Sequence, residues 1–384
     1  HSARILIENQ CLSSDEILTL YESNRKKVNY VFEISTDRPK LKTSNEVMSS
    51  IIPNKDLKKA PNYPVDKERE KIFGKEYSRI GQPQHMAKLI NYTLFDIMLQ
   101  YKNTLVFGED VAQKGGVYNV TSDLYKQFGI RRVFNSPLDE TSILGFGMGF
   151  GHNGFVPIPE IQFLAYFHNA EDQLRGEAAT LPFFSKGQFT NPMVLRVPGL
   201  AYQKGFGGHF HNDNSLSIFR DIPGVILAVP SNGLDAAMML RTAIKEAYEN
   251  GRVTVFLEPI ALYMTKDLIK PKDGKWNFIY PNIEETLSIG DFAVYGRGNA
   301  LTIITYGNGL YLSLQAKIEI EKKLRKKIKV IDLRWLSNIN VSGIIDEING
   351  CSNILIVDEC RRTGCHGEGL MANLVSESNN LLNI

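Results

Sequence analysis

Cysteine is scarce in this 384-residue chain, charge of one sign is absent, and no apolar run is long. Four cysteines are too few for a disulfide scaffold at this length. Cys11, Cys351, Cys360 and Cys365 therefore read as free thiols of a reducing compartment, and the expected location is the cytoplasm. Cys360 and Cys365 lie close together, but no second ligand pair accompanies them, so no metal site is expected from this chain's residues. Lys and Arg number 44 against 42 Asp and Glu, a net charge of +2 that points away from nucleic acid as a partner. No window approaches the ~20 apolar residues of a membrane span, so no membrane partner is expected. His1-Ser2-Ala3-Arg4 leads into no apolar segment and no initiator Met is present, which reads as a cleavage or cloning boundary.

Glycine is scarce too, but only at one end: residues 1–82 hold just Gly74 and Gly81 of the 31 glycines. Ser13 and Glu16 have the spacing of a helix capping box. Ile17, Leu20, Tyr21, Val28 and Val31 follow at helical spacing. From Lys40 to Arg79 the chain is polar, with Pro53, Pro61 and Pro64, and reads as an extended linker or arm. Beyond it, short β-rich runs alternate with helical stretches. Leu105–Gly108, Val133–Asn135, Val156–Gln162, Met193–Val197, Val225–Pro230 and Val253–Leu257 are predicted strands. Thr121–Phe128, Thr141–His152, Asn169–Phe184 and Gly233–Tyr248 are predicted helices. The pattern predicts an α/β fold, doubly wound on a mainly parallel sheet. After an irregular connection over 263–290, a smaller α/β unit is predicted. Its strands are Leu301–Tyr306, Lys329–Leu333 and Ile354–Asp358, and its helices are Leu310–Lys326 and Glu368–Ser378.

In such a fold the loops after the strands carry the chemistry. Four are candidates. Gly108-Glu109-Asp110-Val111 places two acids after a strand, where solvated loop residues are the plain alternative. Ser136-Pro137-Leu138-Asp139-Glu140 ends another strand and opens a helix containing Gly145, Gly147, Gly149 and Gly151. Glu160-Ile161-Gln162-Phe163 continues to Tyr166 and Phe167, an aromatic group of a kind that more often belongs to a core than to a cofactor wall. Gly205–Asn214 holds three glycines with His209 and His211, which suits a mobile loop carrying an acid/base histidine. No phosphate-binding GxxxxGK[ST], dinucleotide GxGxxG or nucleophile elbow is present. Acids, aromatics and histidine point to a cofactor-using enzyme without specifying its reaction.

In order along the chain, LVFGEDVAQKGGVYNVT, RRVFNSPLDETSILGFGMG, PIPEIQFLAYFHNAEDQL, GGHFH, DIPGVILAVPSNGLDA, VFLEPIALY, VIDLRWL and IVDECRRTG resemble the beta subunit of the thiamine-diphosphate-dependent 2-oxo acid dehydrogenases. Residues 1–82 resemble the end of that family's alpha subunit, through LSSDEILTLYESNRKKV. The resemblance implies a stretch of an alpha–beta fusion. Residues 1–82 would be the alpha tail and linker. Residues 83–270 would form a transketolase-like pyrimidine-binding domain, and 284–384 a truncated transketolase C-terminal domain.

It implies roles as well. Glu140 matches the glutamate that hydrogen-bonds a ring nitrogen of the cofactor's aminopyrimidine and favours its imino form. Tyr166 matches the aromatic packed on that ring, with Gln162 and Leu138 beside it. Glu109 matches an acid near the subunit interface that relays protons between paired sites. His211 matches the histidine serving the substrate and the incoming lipoyl group, although Asn212-Asp213 replaces the family's Ser-Gln after it. The implied reaction is decarboxylation of a 2-oxo acid, branched-chain before pyruvate, with acyl transfer to a lipoyl arm. A transketolase-type enzyme and a non-catalytic assembly homologue are the alternatives. The implied partners are the alpha half, a second beta half and a lipoyl-bearing dihydrolipoyl acyltransferase. The alpha half would hold the diphosphate and its magnesium, because no GDG…NN motif occurs here. Residues 1–384 alone are therefore expected to bind the cofactor weakly.

Overall fold

Ser13 caps the longest helix near the start of the chain, Ser14–Thr36. Its hydroxyl accepts the Glu16 N–H at 3.2 Å, and the Glu16 carboxylate accepts the Ser13 N–H at 2.8 Å, the reciprocal box expected from the spacing. The computed structural model describes residues 1–52, 58–201 and 207–377. It divides into two units, His1–Ser49 and the chain from Ser50 onward. The first unit is helical, with Ser2–Glu8 and Ser44–Met48 flanking the long helix, and none of the three helices buries a residue.

The second unit is built on a six-stranded parallel sheet: β1 (Thr104–Gly108), β2 (Val133–Asn135), β3 (Val156–Glu160), β4 (Met193–Gly199), β5 (Ile226–Ala228) and β6 (Val253–Pro259). The order is β2-β1-β3-β4-β6-β5. Helices cover both faces, so the strands read as nearly continuous apolar runs. The chain leaves β1 for β2 on one side and crosses back to β3 on the other. That reversal opens a crevice at the carboxyl ends of β1 and β3.

A smaller sheet follows: β7 (Ala293–Tyr295), β8 (Thr302–Thr305), β9 (Lys329–Asp332) and β10 (Ile354–Ile356), in the order β10-β8-β9-β7. Only β7 runs antiparallel, on β9. The two sheets are tied together. The Val229 N–H donates to the Arg334 carbonyl at 2.8 Å, and the Arg334 guanidinium grips Asp235 with two bonds of 2.9 Å.

Four departures from the sequence expectation have physical causes. Met86–Gln100 is a helix with 13 buried residues, packed between the sheet and the Gly233–Asn250 helix. Buried on nearly every side, it carries no apolar stripe to betray its period. The polar arm is not extended throughout. Asp66–Phe73 is α-helical and Gly74–Arg79 continues as a 3-10 helix. Arg69, 9% exposed, meets Asp96 through bonds of 2.8 and 3.1 Å, and Tyr280 donates to the same carboxylate at 2.8 Å. The single helix expected over 169–184 is broken into a 3-10 turn (His168–Ala170), a π-helical turn (Gln173–Ala178) and a short helix (Leu181–Phe184). Pro182 lacks an N–H and is suited to the first turn of a restarted helix, not to the interior of a long one. Finally, the smaller sheet has four strands where three were expected, the addition being the three-residue edge strand β7.

Candidate active site

Gly108 ends β1 directly opposite Glu160, the last residue of β3. A Cβ on Gly108 would lie 2.7 Å from the Glu160 carbonyl oxygen, so glycine allows the two strand ends to close up. Glu109 follows Gly108, and Gln162 lies two residues past β3. The loop after β2 ends at Asp139, which holds the N-cap position of the Glu140–His152 helix and accepts from the Ser142 hydroxyl. Glu140 is 6% exposed, and its Oε2 accepts a hydrogen bond from Asn169 Nδ2 at 3.3 Å.

These acids are crowded. Burial pushes the Glu109 carboxyl up to about 7, reinforced by the negative charges of Glu140, Asp110 and Glu160. Its Oε1 is buried without a hydrogen-bond partner. Asp110 is paired with Lys114 at 2.7 Å and receives Gln162 Nε2 at 3.1 Å. Gln162 is thus anchored through the acid beside Glu109.

An aromatic group stands alongside. The Tyr166 hydroxyl lies 3.3 Å from His211 Nε2, and His211 Nδ1 lies 3.1 Å from the Gly207 carbonyl. A carbonyl only accepts, so Nδ1 carries a proton, and in the neutral ring Nε2 accepts from Tyr166. The Phe163 and His211 rings meet edge-on, with centroids 4.5 Å apart. Gly208–His211 forms one helical turn, while residues 205 and 206 of the expected mobile loop lie outside the described residues. Tyr166 and Asn169 are three residues apart, so one short stretch supplies both the hydroxyl on His211 and the amide on Glu140. Leu138, two residues before Glu140, has 81% of its surface exposed.

The sequence reading missed the floor of the site. Arg196 on β4 is fully buried. Its Nη1 donates to Glu160 at 2.5 Å, and its Nε and Nη2 donate to the two oxygens of Glu258 on β6 at 2.6 and 2.8 Å. Tyr263 also donates to Glu258. Two carboxyls against one guanidinium leave an excess negative charge in the interior. Burial pushes Glu160 above the ordinary carboxylate range, with Arg196 pulling the other way. The signal was an Arg and a Glu set inside the apolar strands MVLRVPG and VTVFLEP, where unpaired charge is not tolerated. Asn169 was missed as well, and it is placed by its bond to Glu140.

This donor set has a definite character. Carboxyls, one with an unpartnered buried oxygen, lie at the strand ends, and the Tyr166–Asn169 stretch joins them to the Phe163–Tyr166–His211 group. Such a surface suits a cationic, nitrogen-rich heteroaromatic group better than a phosphate, and so fits the aminopyrimidine and thiazolium portion of thiamine diphosphate.

Comparison with known proteins agrees. Residues 82–265 match the family model of the transketolase pyrimidine binding domain, and residues 290–383 that of the transketolase C-terminal domain. The chain is 35% identical over 283 residues to the pyruvate dehydrogenase E1 component subunit beta of Bacillus subtilis, covering 72% of this chain and 79% of that one. It is 33% identical over 294 residues to the same subunit of Staphylococcus aureus, covering 75% and 84%. Among solved structures, a split gene transketolase described as an inactive beta4 tetramer superposes with a TM-score of 0.58 at 17% identity, over 78% of this chain and 86% of that one, which bears on the fold alone. With that degree of identity over most of both lengths, the chain belongs to the beta subunits of the thiamine-diphosphate-dependent 2-oxo acid dehydrogenases.

Proposed function

We propose that this chain supplies the pyrimidine-side half of an active site that decarboxylates a 2-oxo acid and passes the acyl group to a lipoyl arm. The observation that carries the reading is the pair of acids at the β1–β3 crevice. Glu140 is buried and held by Asn169, while Glu109 beside it is pushed up to about 7. An acid near neutrality exchanges its proton readily at working pH, the property a relay requires. In this reading Glu140 shares a proton with a ring nitrogen of the cofactor, and Glu109 holds the exchangeable proton behind it. The Gly207 carbonyl sets the proton on His211 Nδ1 and the Tyr166 hydroxyl holds the ring at Nε2, so that the histidine meets the substrate and the incoming lipoyl group with a defined face. Gln162 and Leu138 border the same ring. Thiamine diphosphate, when bound, supplies a nucleophilic carbon and an electron sink.

The remaining assignments rest on family membership. The alpha half would hold the diphosphate and magnesium, a second beta half would pair with this one, and a dihydrolipoyl acyltransferase would receive the acyl group. The domain limits 83–270 and 284–384 and a cytoplasmic location belong to the same proposal, and no helix among the described residues is long and apolar enough to cross a membrane. A branched-chain substrate follows from the fused arrangement and the EIQFLAY stretch. Pyruvate is the second reading, favoured by the names of the two bacterial relatives.

The test is Glu140→Gln in the assembled enzyme, following carbon dioxide release with an artificial electron acceptor. Loss of general acid–base help lowers the rate by about 10²-fold or more. An unchanged rate overturns the assignment of Glu140. A panel of pyruvate against branched 2-oxo acids on the wild type decides the acyl chain.

A further inference from the structure

At the opposite, amino edge of the large sheet lies a cleft of about 430 Å³ between the two sheets. Val225 and Arg252 immediately precede β5 and β6, and both line it. Strand β6 runs seven residues from there to the acid-lined edge. At ~3.3 Å per residue the two openings are roughly 20 Å apart.

The polar lining of this cleft is one-sided. Arg220 and Arg252 both face it, and no Asp or Glu does among the described residues. Neither arginine has an ion-pair partner among the described residues. Arg220 donates to the Cys365 carbonyl at 2.9 Å, and Arg252 Nη2 to the Gly224 carbonyl at 3.2 Å. Arg252 Nε is buried without a partner. His366, 4% exposed, also lines the cleft, and both of its ring nitrogens lack partners. Burial holds this imidazole down to about 4; the Arg220 charge adds to that, and Asp358 opposes it. It therefore offers one donor and one acceptor at neutral pH. Leaving three such groups unsatisfied is costly, so they call for a ligand rich in acceptors. Phe219 and Leu336 add apolar walls, and the volume is that of a small-molecule site.

We propose that this cleft binds a small organic phosphate, its phosphoryl oxygens on Arg220, Arg252 and His366 and its carbon body on the Phe219–Leu336 wall. Two guanidiniums match a doubly charged phosphoryl group through forked, charge-assisted bonds. The apolar wall asks for more than an inorganic ion. No residue of the acid-lined crevice takes part, so the proposal stands independently of the catalytic reading.

The test is calorimetric titration of the whole chain with AMP, glucose 6-phosphate and phosphoenolpyruvate, with adenosine and inorganic phosphate as controls. At least one organic phosphate is expected to bind with a dissociation constant below about 1 mM, while adenosine does not bind. Arg220→Gln, at an exposed position, is expected to weaken binding about tenfold, as is Arg252→Gln. Circular dichroism verifies that both variants are folded. The proposal is overturned if no organic phosphate binds in that range, if Arg220→Gln leaves the affinity unchanged, or if inorganic phosphate binds as tightly as the best organic one, which would mean an adventitious ion only.

Discussion

Replacing Arg196 with Met puts the floor of the candidate site to the test. The side chain is fully buried and makes three charge-assisted bonds of 2.5 to 2.8 Å to two carboxyls on neighbouring strands. Met fills much of the volume, so packing loss is small and the effect is electrostatic. Breaking a buried ion pair while leaving its partner behind costs about 3–5 kcal/mol, and here two partners are left. The loss must depend on pH. Glu160 already sits above its ordinary range through burial, and without Arg196, which pulls it down, it rises further. A carboxyl raised in the folded state binds its proton more tightly there than in the unfolded chain. The variant is therefore least impaired below an unfolded pKa of about 4.3 and loses stability as pH climbs through the folded value. Urea unfolding followed by circular dichroism at pH 5 and pH 8 measures this. The deficit is expected to reach about 3–5 kcal/mol at pH 8 and to shrink at pH 5, with partial recovery on adding Glu258→Gln. A deficit under about 1 kcal/mol at pH 8, or one equal at both pH values, refutes the reasoning.

Glu109 makes a similar prediction with a milder outcome. Because its carboxyl is raised to about 7, the wild-type fold loses stability as pH rises from about 4.5 to 7, and Glu109→Gln removes that slope; equal slopes in the two proteins count against the crowding of acids at the crevice. Gly108→Ala would place a methyl 2.7 Å from the Glu160 carbonyl oxygen and is expected to cost about 1–3 kcal/mol, so an unaltered melting temperature contradicts the close approach of β1 and β3. Tyr166→Phe deletes the hydroxyl bonded to His211 Nε2 and is expected to move the Nε2 chemical shift while Nδ1, held by the Gly207 carbonyl, keeps its proton; an unchanged Nε2 shift excludes the orienting role.

How far the sequence could be read depended on where its contrast lay. The strands of the large sheet were legible because runs such as TLVFG and MVLRVPG are apolar, β-rich and bounded by breakers. The Met86–Gln100 helix was not, since burial on nearly all sides removes the polar face that marks a period. The three-residue strand β7 was hidden in polar surroundings at a sheet edge. Glu140, Gln162, Tyr166 and His211 were picked out as polar or aromatic residues after strands, where this fold concentrates chemistry. Their supporting partners were illegible for a different reason. Asn169 lies 29 residues from Glu140, and Arg196 lies 62 from Glu258, so no local pattern joins them.

The Glu160–Arg196–Glu258 group has one more consequence, for strand alignment. β6 reads VTVFLEP and is buried along its whole length, so the apolar pattern alone distinguishes poorly between one pairing and the next. In the observed register Arg196 lies opposite Phe256, with Glu258 two residues on and on the same face. Slide β6 by one residue and Glu258 turns to the other side of the sheet, stranding its carboxylate away from Arg196 and leaving that guanidinium with Glu160 alone. The charged group thus acts as a pawl. It admits a single alignment of three central strands, and with it a single spacing between the two edges of the sheet.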